Sequence, residues 1–303
     1  MSAASRSASI EIAQRFVRRY APAECESDRS LLIVHGAGEH GGRYRHLVPH
    51  VVARGWNVIA GDLRGHGRSG GTATHLDDFE QYLDDLDSIV RHFRLDARRT
   101  ALFGHSMGGL VAARFSQTRF RPASALVLSA PLLAFGMRVP VTRQLLGRMC
   151  LAVAPRTRFR TRVRLEDITR NTEALQRREQ DPLTNRTVTA GWYFRVSRTL
   201  QKVADDAGQL TIPLLLMQGA ADRIVRPDTA IHWFCKVGSQ DRSLWLLRDH
   251  LHELLNEPGW KTSLSQVLDW LDVRIPPAAS FRRNPESEGL LIRESEADLP
   301  ICV

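Results

Sequence analysis

The sequence predicts an α/β fold in which a mostly parallel central sheet is flanked by helices and carries an inserted helical cap. Three observations support this. Short apolar runs alternate with amphipathic segments, the early runs close in Gly-containing turns, and the alternation breaks between Leu132 and Leu210 before it resumes.

Each expected sheet element is a short continuous apolar run, as suits parallel strands buried on both faces. Leu31-Leu32-Ile33-Val34 comes first, and Trp56 to Ala60 follows, closed by Gly61-Asp62. Ala101 to Phe103, Ala125 to Leu128, Leu214 to Met217 and Leu244 to Leu247 continue the series. Between them lie helical patterns. Phe79, Leu83, Leu86, Val90 and Phe93 recur at three or four residues, with Asp77 and Asp78 suited to the positive helix start. Leu110 to Phe115 is amphipathic, and Trp260, Leu264, Val267, Leu268 and Leu271 form another stripe. Residues 132–210 are Arg-rich and helix-like with no convincing strand, so they are assigned to the cap. Residues 1–131 and 211–275 form the core, and 276–303, with scattered prolines and acids, are expected to be a disordered tail.

With 303 residues, 43% of them hydrophobic, the chain can bury a sizeable core. The net charge of +9 invites a nucleic-acid reading. That reading is set aside. Only Lys202, Lys236 and Lys261 of the 42 basic residues are lysines, the arginines are spread along the chain, and no nucleic-acid-binding motif is present. Cys25, Cys150, Cys235 and Cys302 form no C-x-x-C pair and are expected to stay reduced. Met1 to Ser9 is small and polar, and no apolar run approaches the ~18 residues of a membrane span, so a cytoplasmic location is expected.

Gly104-His105-Ser106-Met107-Gly108 is a G-x-S-x-G motif between a strand and a helix, where a serine is held exposed on a tight turn. A serine hydroxyl needs a base within reach and an acid to orient that base. Ser106 is the candidate nucleophile. His252, in the loop after the last strand, is the candidate base in preference to His250. Asp222, just past Leu214 to Met217, is the candidate acid, the alternative being a helix cap near Pro227. The oxyanion donors are expected to be the backbone amides of Met107 and of Ala37 in His35-Gly36-Ala37-Gly38, with His35 bracing that turn. His46 and His50 are four apart, but Pro49 interrupts them and no third ligand follows, so they are read as surface histidines and no metal is expected. Asp62-Leu63-Arg64-Gly65-His66-Gly67-Arg68-Ser69 lacks the third glycine of a dinucleotide site and is read as a structural turn, so no cofactor is required.

Several of these stretches together resemble the monoacylglycerol lipases and lysophospholipases of the α/β-hydrolase superfamily, in its serine aminopeptidase-like branch. They are His35 to Tyr44, Asp62 to Ser69, Gly104 to Gly109 and His252-Glu253, within a likeness running from about Leu31 to Leu271. The resemblance implies an α/β-hydrolase fold, a helical cap, an apolar acyl tunnel and cofactor-free ester hydrolysis. It implies that Glu39 and Arg43 lie near the polar head of a glyceride, and Asp181-Pro182-Leu183 resembles a cap motif of the family. Two departures stand out. Ile10 to Tyr20 is too short for the leading hairpin with its Asp-Gly turn, and Leu255 stands where mammalian monoacylglycerol lipases carry a histidine.

Val139 to Ala154 is apolar, and Arg156, Arg158, Arg160, Arg162 and Arg164 follow at alternate positions. This suits either adsorption to an anionic membrane or a solvated basic segment beside a cap core helix. The expected function is hydrolysis of lipophilic carboxylic esters through an acyl-serine intermediate. The alternatives are a short-chain carboxylesterase or aminopeptidase-like amidase, or a non-catalytic lipid-binding protein on the same fold. An epoxide hydrolase or dehalogenase is disfavoured, because those enzymes place an aspartate where this chain has Ser106.

Overall fold

The computed structural model describes residues 5–23, 27–119, 123–136 and 139–277. Ten strands are present among them: β1 (Ser5–Ile12), β2 (Arg15–Pro22), β3 (Ser30–Val34), β4 (Asn57–Gly61), β5 (Thr100–His105), β6 (Ala125–Ser129), β7 (Arg158–Arg160), β8 (Thr187–Thr189), β9 (Leu214–Gly219) and β10 (Arg242–Leu247). The α-helices are α1 (Val48–Ala53), α2 (Glu80–His92), α3 (Met107–Thr118), α4 (Val141–Val153), α5 (Thr172–Gln180), α6 (Ala190–Asp205), α7 (Pro227–Lys236) and α8 (Trp260–Arg274). Eight strands form one sheet in the order β1-β2-β4-β3-β5-β6-β9-β10. From β4 to β10 every pairing is parallel, and β1 and β2 add an antiparallel edge. Every residue of β3, β4, β5, β6 and β9 is buried, which explains their unbroken apolar runs.

Alternate side chains serve alternate faces. Leu32, Val34, Leu102, Leu126, Leu128 and Leu216 face a core shared with α2, α3, α6 and α7. Leu31, Ile33, Phe103, Val127, Leu215 and Met217 face a second core closed by α1 and α8. Loops at the carboxyl ends of the parallel strands collect at one edge, where open α/β sheets place their sites.

Two expectations about the strands are corrected. The amino-terminal segment does form a leading hairpin, β1 with β2, turned through Ala13 and Gln14 at φ of 47° and 65°. Those left-handed angles are ordinarily signalled by Asn-Gly or Asp-Gly, so the turn carries no sequence mark. The stretch between β6 and β9 also contains strands: β7 and β8 pair antiparallel, with Arg158 and Arg160 exposed on either side of half-buried Phe159. In addition α6, though within that stretch, packs into the main core through Trp192, Val196 and Val203. The Trp192 indole donates to the Tyr82 hydroxyl at 3.2 Å. Cys150 and Cys235 are free thiols. Cys25 and nearly all of the expected tail, from 278 onward, lie outside the described residues.

His46 and His50 are half-buried rather than on the open surface, because both rings pack edge-on against Trp260, with centroids 4.8 and 5.3 Å away. His46 also bonds the Leu255 carbonyl. The Asp62 to Ser69 stretch is the structural turn expected of it: the buried Asp62 carboxylate accepts from the Gly41 and Arg68 amides and from Arg18.

One buried charge was not foreseen. Asp85, on the inner face of α2, accepts from Arg15 at 2.8 Å and from both the backbone and side chain of Arg64. It therefore pins the hairpin and the Asp62 turn to α2. Replacing Asp85 by Ala strands Arg15 in the interior, and we expect a loss of roughly 3 kcal/mol. Urea unfolding checks this, and an unchanged midpoint would contradict it.

Candidate active site

The site is built at the end of β5. Ser106 adopts φ 53° and ψ −119°, a strained conformation for a residue with a side chain. The strain persists because the turn is packed too closely for alternatives. A Cβ on Gly104 would lie 2.5 Å from the Gly108 carbonyl oxygen, and one on Gly108 would lie 2.1 Å from that of Val34. The Ser106 carbonyl is held by the Gly109, Leu110 and Leu132 amides, which fixes the turn from the other side.

His252 reaches Ser106 from the loop after β10. Its Nε2 lies 2.9 Å from Ser106 Oγ, and its Nδ1 lies 2.8 Å from Asp222 Oδ2. Asp222 comes from the loop after β9. Its Oδ1 accepts from the Ile224 and Val225 amides, and Oδ2 also accepts from the Gln218 side chain at 3.2 Å. Thus Asp222 orders its own loop while it faces the imidazole. Burial works against ionisation of Asp222, but the His252 charge and these hydrogen bonds prevail and hold its pKa below the ordinary carboxylate value. A carboxylate on Nδ1 sets the tautomer with its proton there, leaving Nε2 free to accept from the serine. Among the described residues His250 makes no hydrogen bond to Ser106; its backbone carbonyl instead accepts from Ala221.

The turn after β3 supplies the facing wall. A Cβ on Gly36 would lie 3.2 Å from that of Ser106, so glycine permits the approach. Among the described residues, neither the Ala37 nor the Met107 amide donates a hydrogen bond to another protein group. Both belong to segments beside Ser106, as oxyanion donors require. His35 braces the turn: its Nε2 accepts from the Leu63 amide, so Nδ1 carries the proton and donates to the Gly36 carbonyl at 2.8 Å. His105 lies beside His252, ring centroids 4.8 Å apart, and donates through Nδ1 to Ser129. Burial first, then the His252 charge, lowers its pKa to about 4, so it is neutral at physiological pH.

Glu39 and Arg43, which the resemblance places near a polar head, are both held by other protein groups. Glu39 borders the cavity, but its carboxylate is occupied by the Gly36 amide at 2.6 Å, Tyr44 at 2.8 Å and Arg43 at 3.0 Å. Arg43 is not among the residues that line the cavity, and it grips both oxygens of Glu253. The buried ion network was not legible because only Glu39 and Arg43 are near in sequence, four residues apart, while Arg178 and Glu253 join them through folding. Gln218 was missed as well, although its place at the end of β9 is a usable signal.

Above Ser106 lies a cavity of about 310 Å³, within the range of small-molecule sites. Its walls are largely apolar, with Leu132, Phe135, Val188, Trp192, Tyr193 and Ile224 among them. Phe135 and Tyr193 stack with centroids 5.3 Å apart. The segment between β6 and β9 provides most of this enclosure. It is tied to the core where Asn185 donates to the Gly38 carbonyl and where His40 meets Asp181, both at 2.8 Å.

A Ser-His-Asp constellation at the carboxyl edge of such a sheet defines an α/β-hydrolase. The chain belongs to the serine aminopeptidase (S33) family, whose pattern matches residues 26–259. It is similar to the phospholipase YtpA of Bacillus subtilis, 30% identical over 75% of this chain and 89% of that protein. It is also similar to the monoacylglycerol lipase of Mycolicibacterium smegmatis, 29% identical over 80% of this chain and 87% of that one. Among solved structures, a Paleococcus ferrophilus monoacylglycerol lipase superposes with a TM-score of 0.76 at 25% identity, covering 89% of this chain and 99% of its own.

Proposed function

We propose that this protein is a serine hydrolase that cleaves lipophilic carboxylic esters, of monoacylglycerol or lysophospholipid type, through an acyl-Ser106 intermediate. The carrying observation is that His252 bridges Ser106 and Asp222 at the floor of an apolar cavity. Ser106 Oγ attacks the ester carbonyl as His252 Nε2 takes its proton. The Ala37 and Met107 amides receive the oxyanion, and Asp222 stabilises the imidazolium. His252 returns the proton to the leaving alcohol. Water, activated by the same nitrogen, then releases the fatty acid and regenerates the serine. The apolar part of the lining, Leu132, Phe135, Val188, Trp192, Tyr193 and Ile224 among it, suits an acyl chain. The names of the similar proteins, a phospholipase and monoacylglycerol lipases, support this substrate class.

A lipid substrate also suits the outer face of α4. This helix buries only Gly147, while Val141, Met149 and Val153 are 70%, 68% and 85% exposed. Arg148 within the helix and Arg156, Arg158 and Arg160 soon after it in the chain are exposed. We propose that this face seats on an anionic lipid surface, apolar side chains entering the interface while the arginines meet headgroups. No helix among the described residues is long and apolar enough to cross a membrane.

p-Nitrophenyl esters from acetate to palmitate test the reaction. Turnover should peak at medium or long chains and fall by on the order of 10³-fold or more in Ser106→Ala. A peak at acetate would indicate a small-ester hydrolase, and undiminished turnover in the mutant would remove Ser106 as nucleophile. For the surface, vesicle co-sedimentation should rise with anionic lipid, weaken with salt and weaken in Met149→Ser/Val153→Ser. Equal binding to neutral vesicles by both proteins would contradict the docking.

A further inference from the structure

We propose that Arg178, contributed by α5 of the inserted segment, is a positioning residue that balances a buried charge beside the catalytic base and so couples the insert to an active His252. The inference rests on the serine-hydrolase reading above.

Glu39, on the oxyanion turn, and Glu253, the neighbour of His252, bring two carboxylates into the interior. Their side chains are 4% and 5% exposed. Arg43 bridges them, at 3.0 Å to Glu39 and 2.9 Å to Glu253. One cation thus faces two anions within the core of the fold. The second comes from the insert: Arg178 Nη1 lies 2.7 Å from Glu253 Oε1 and 3.8 Å from Glu39 Oε2. Glu253 receives one further hydrogen bond, from Asn256. With Arg178 in place the cluster is neutral, and without it one negative charge is left uncompensated where little water screens it.

Both carboxylates bear on the reaction geometry. Glu39 holds the Gly36 amide, next to the Ala37 donor, and the Glu253 backbone adjoins His252 while its amide donates to Ile168 of the insert at 2.8 Å. The other charges near His252 are accounted for. Asp222 is its acid partner, His105 is neutral near physiological pH, and buried Glu257 behind the same loop is paired with Arg170 at 2.9 Å. Burial opposes the Glu39 charge, yet its neighbours, His105 first and then Arg43 and Arg178, hold its pKa well below the ordinary value. Removing Arg178 therefore leaves an anion beside the base. That stabilises the imidazolium, raises the pH at which His252 becomes a competent base, and loosens the loop that carries it.

The test is an NMR titration of His252 in resting protein, its resonance assigned by loss in His252→Ala. Arg178→Gln should raise the midpoint by on the order of half a pH unit. Arg178→Lys should restore most of the wild-type value. Glu253→Gln should move it the opposite way, and the double variant should return near wild type, which keeps the test open if one single variant folds poorly. In ester hydrolysis, the acid limb of kcat/KM should move up with the midpoint in Arg178→Gln. Its kcat at pH 7 should fall by on the order of tenfold, with KM little changed. An unchanged His252 midpoint in folded Arg178→Gln would overturn the inference. The resonance needs no turnover, so an inactive wild type would contradict the hydrolase reading while the midpoint still decides the role of Arg178.

Discussion

The close approach of the turn at Gly104 to Gly108 to the end of β3 constrains everything else in this molecule. Gly108 sits so near the Val34 carbonyl that no side chain fits, and Gly104 is pressed against Gly108 in turn. The chain can leave β5 and enter α3 only through the left-handed conformation of Ser106. That conformation lifts the hydroxyl clear of the backbone and aims the first amides of α3 at the same space. The strain, on the order of 1–3 kcal/mol for such a residue, is carried by a fully buried parallel sheet. A scaffold of lower packing density would relax it.

Around this fixed point the remaining parts arrive from separate strand ends. Asp222 follows β9 and His252 follows β10, adjacent parallel strands in register, so their loops emerge side by side. The turn from His35 to Gly38 follows β3, which flanks β5 on the other side. The insert closes the space above and reaches down in polar contacts: Asn185 to Gly38, Asp181 to His40, and Arg178 to Glu253. Its inner face is apolar and its outer helix is exposed and apolar too. One element thus faces the cavity, the loops that carry Gly38, His40 and Glu253, and the outside.

Much of this was legible in the sequence, and what was not has physical reasons. Parallel strands buried on both faces write themselves as apolar runs, so Leu31 to Val34 and its successors were readable. G-x-S-x-G is forced by the sterics just described, and Asp222 and His252 follow from strand-end placement. The β1–β2 hairpin was missed because Ala13 and Gln14 carry left-handed angles without glycine or asparagine. The short pair β7–β8 was missed since three-residue strands are too brief for any period to stand out. Glu39 and Arg43 were placed near a head group by resemblance alone, and nothing in the sequence marked the protein contacts that hold them. Only folding brings Glu253 and Arg178 to them, so no local pattern records that network.

The central claim is that Ser106 becomes covalently acylated with His252 as its base. Labelling with a long-alkyl fluorophosphonate, followed by peptide mass spectrometry, tests it most directly. One adduct is predicted, on the peptide containing Ser106, with labelling slowed by on the order of 10³-fold in His252→Ala. An adduct confined to another residue, or none in a protein that still hydrolyses esters, would contradict the account.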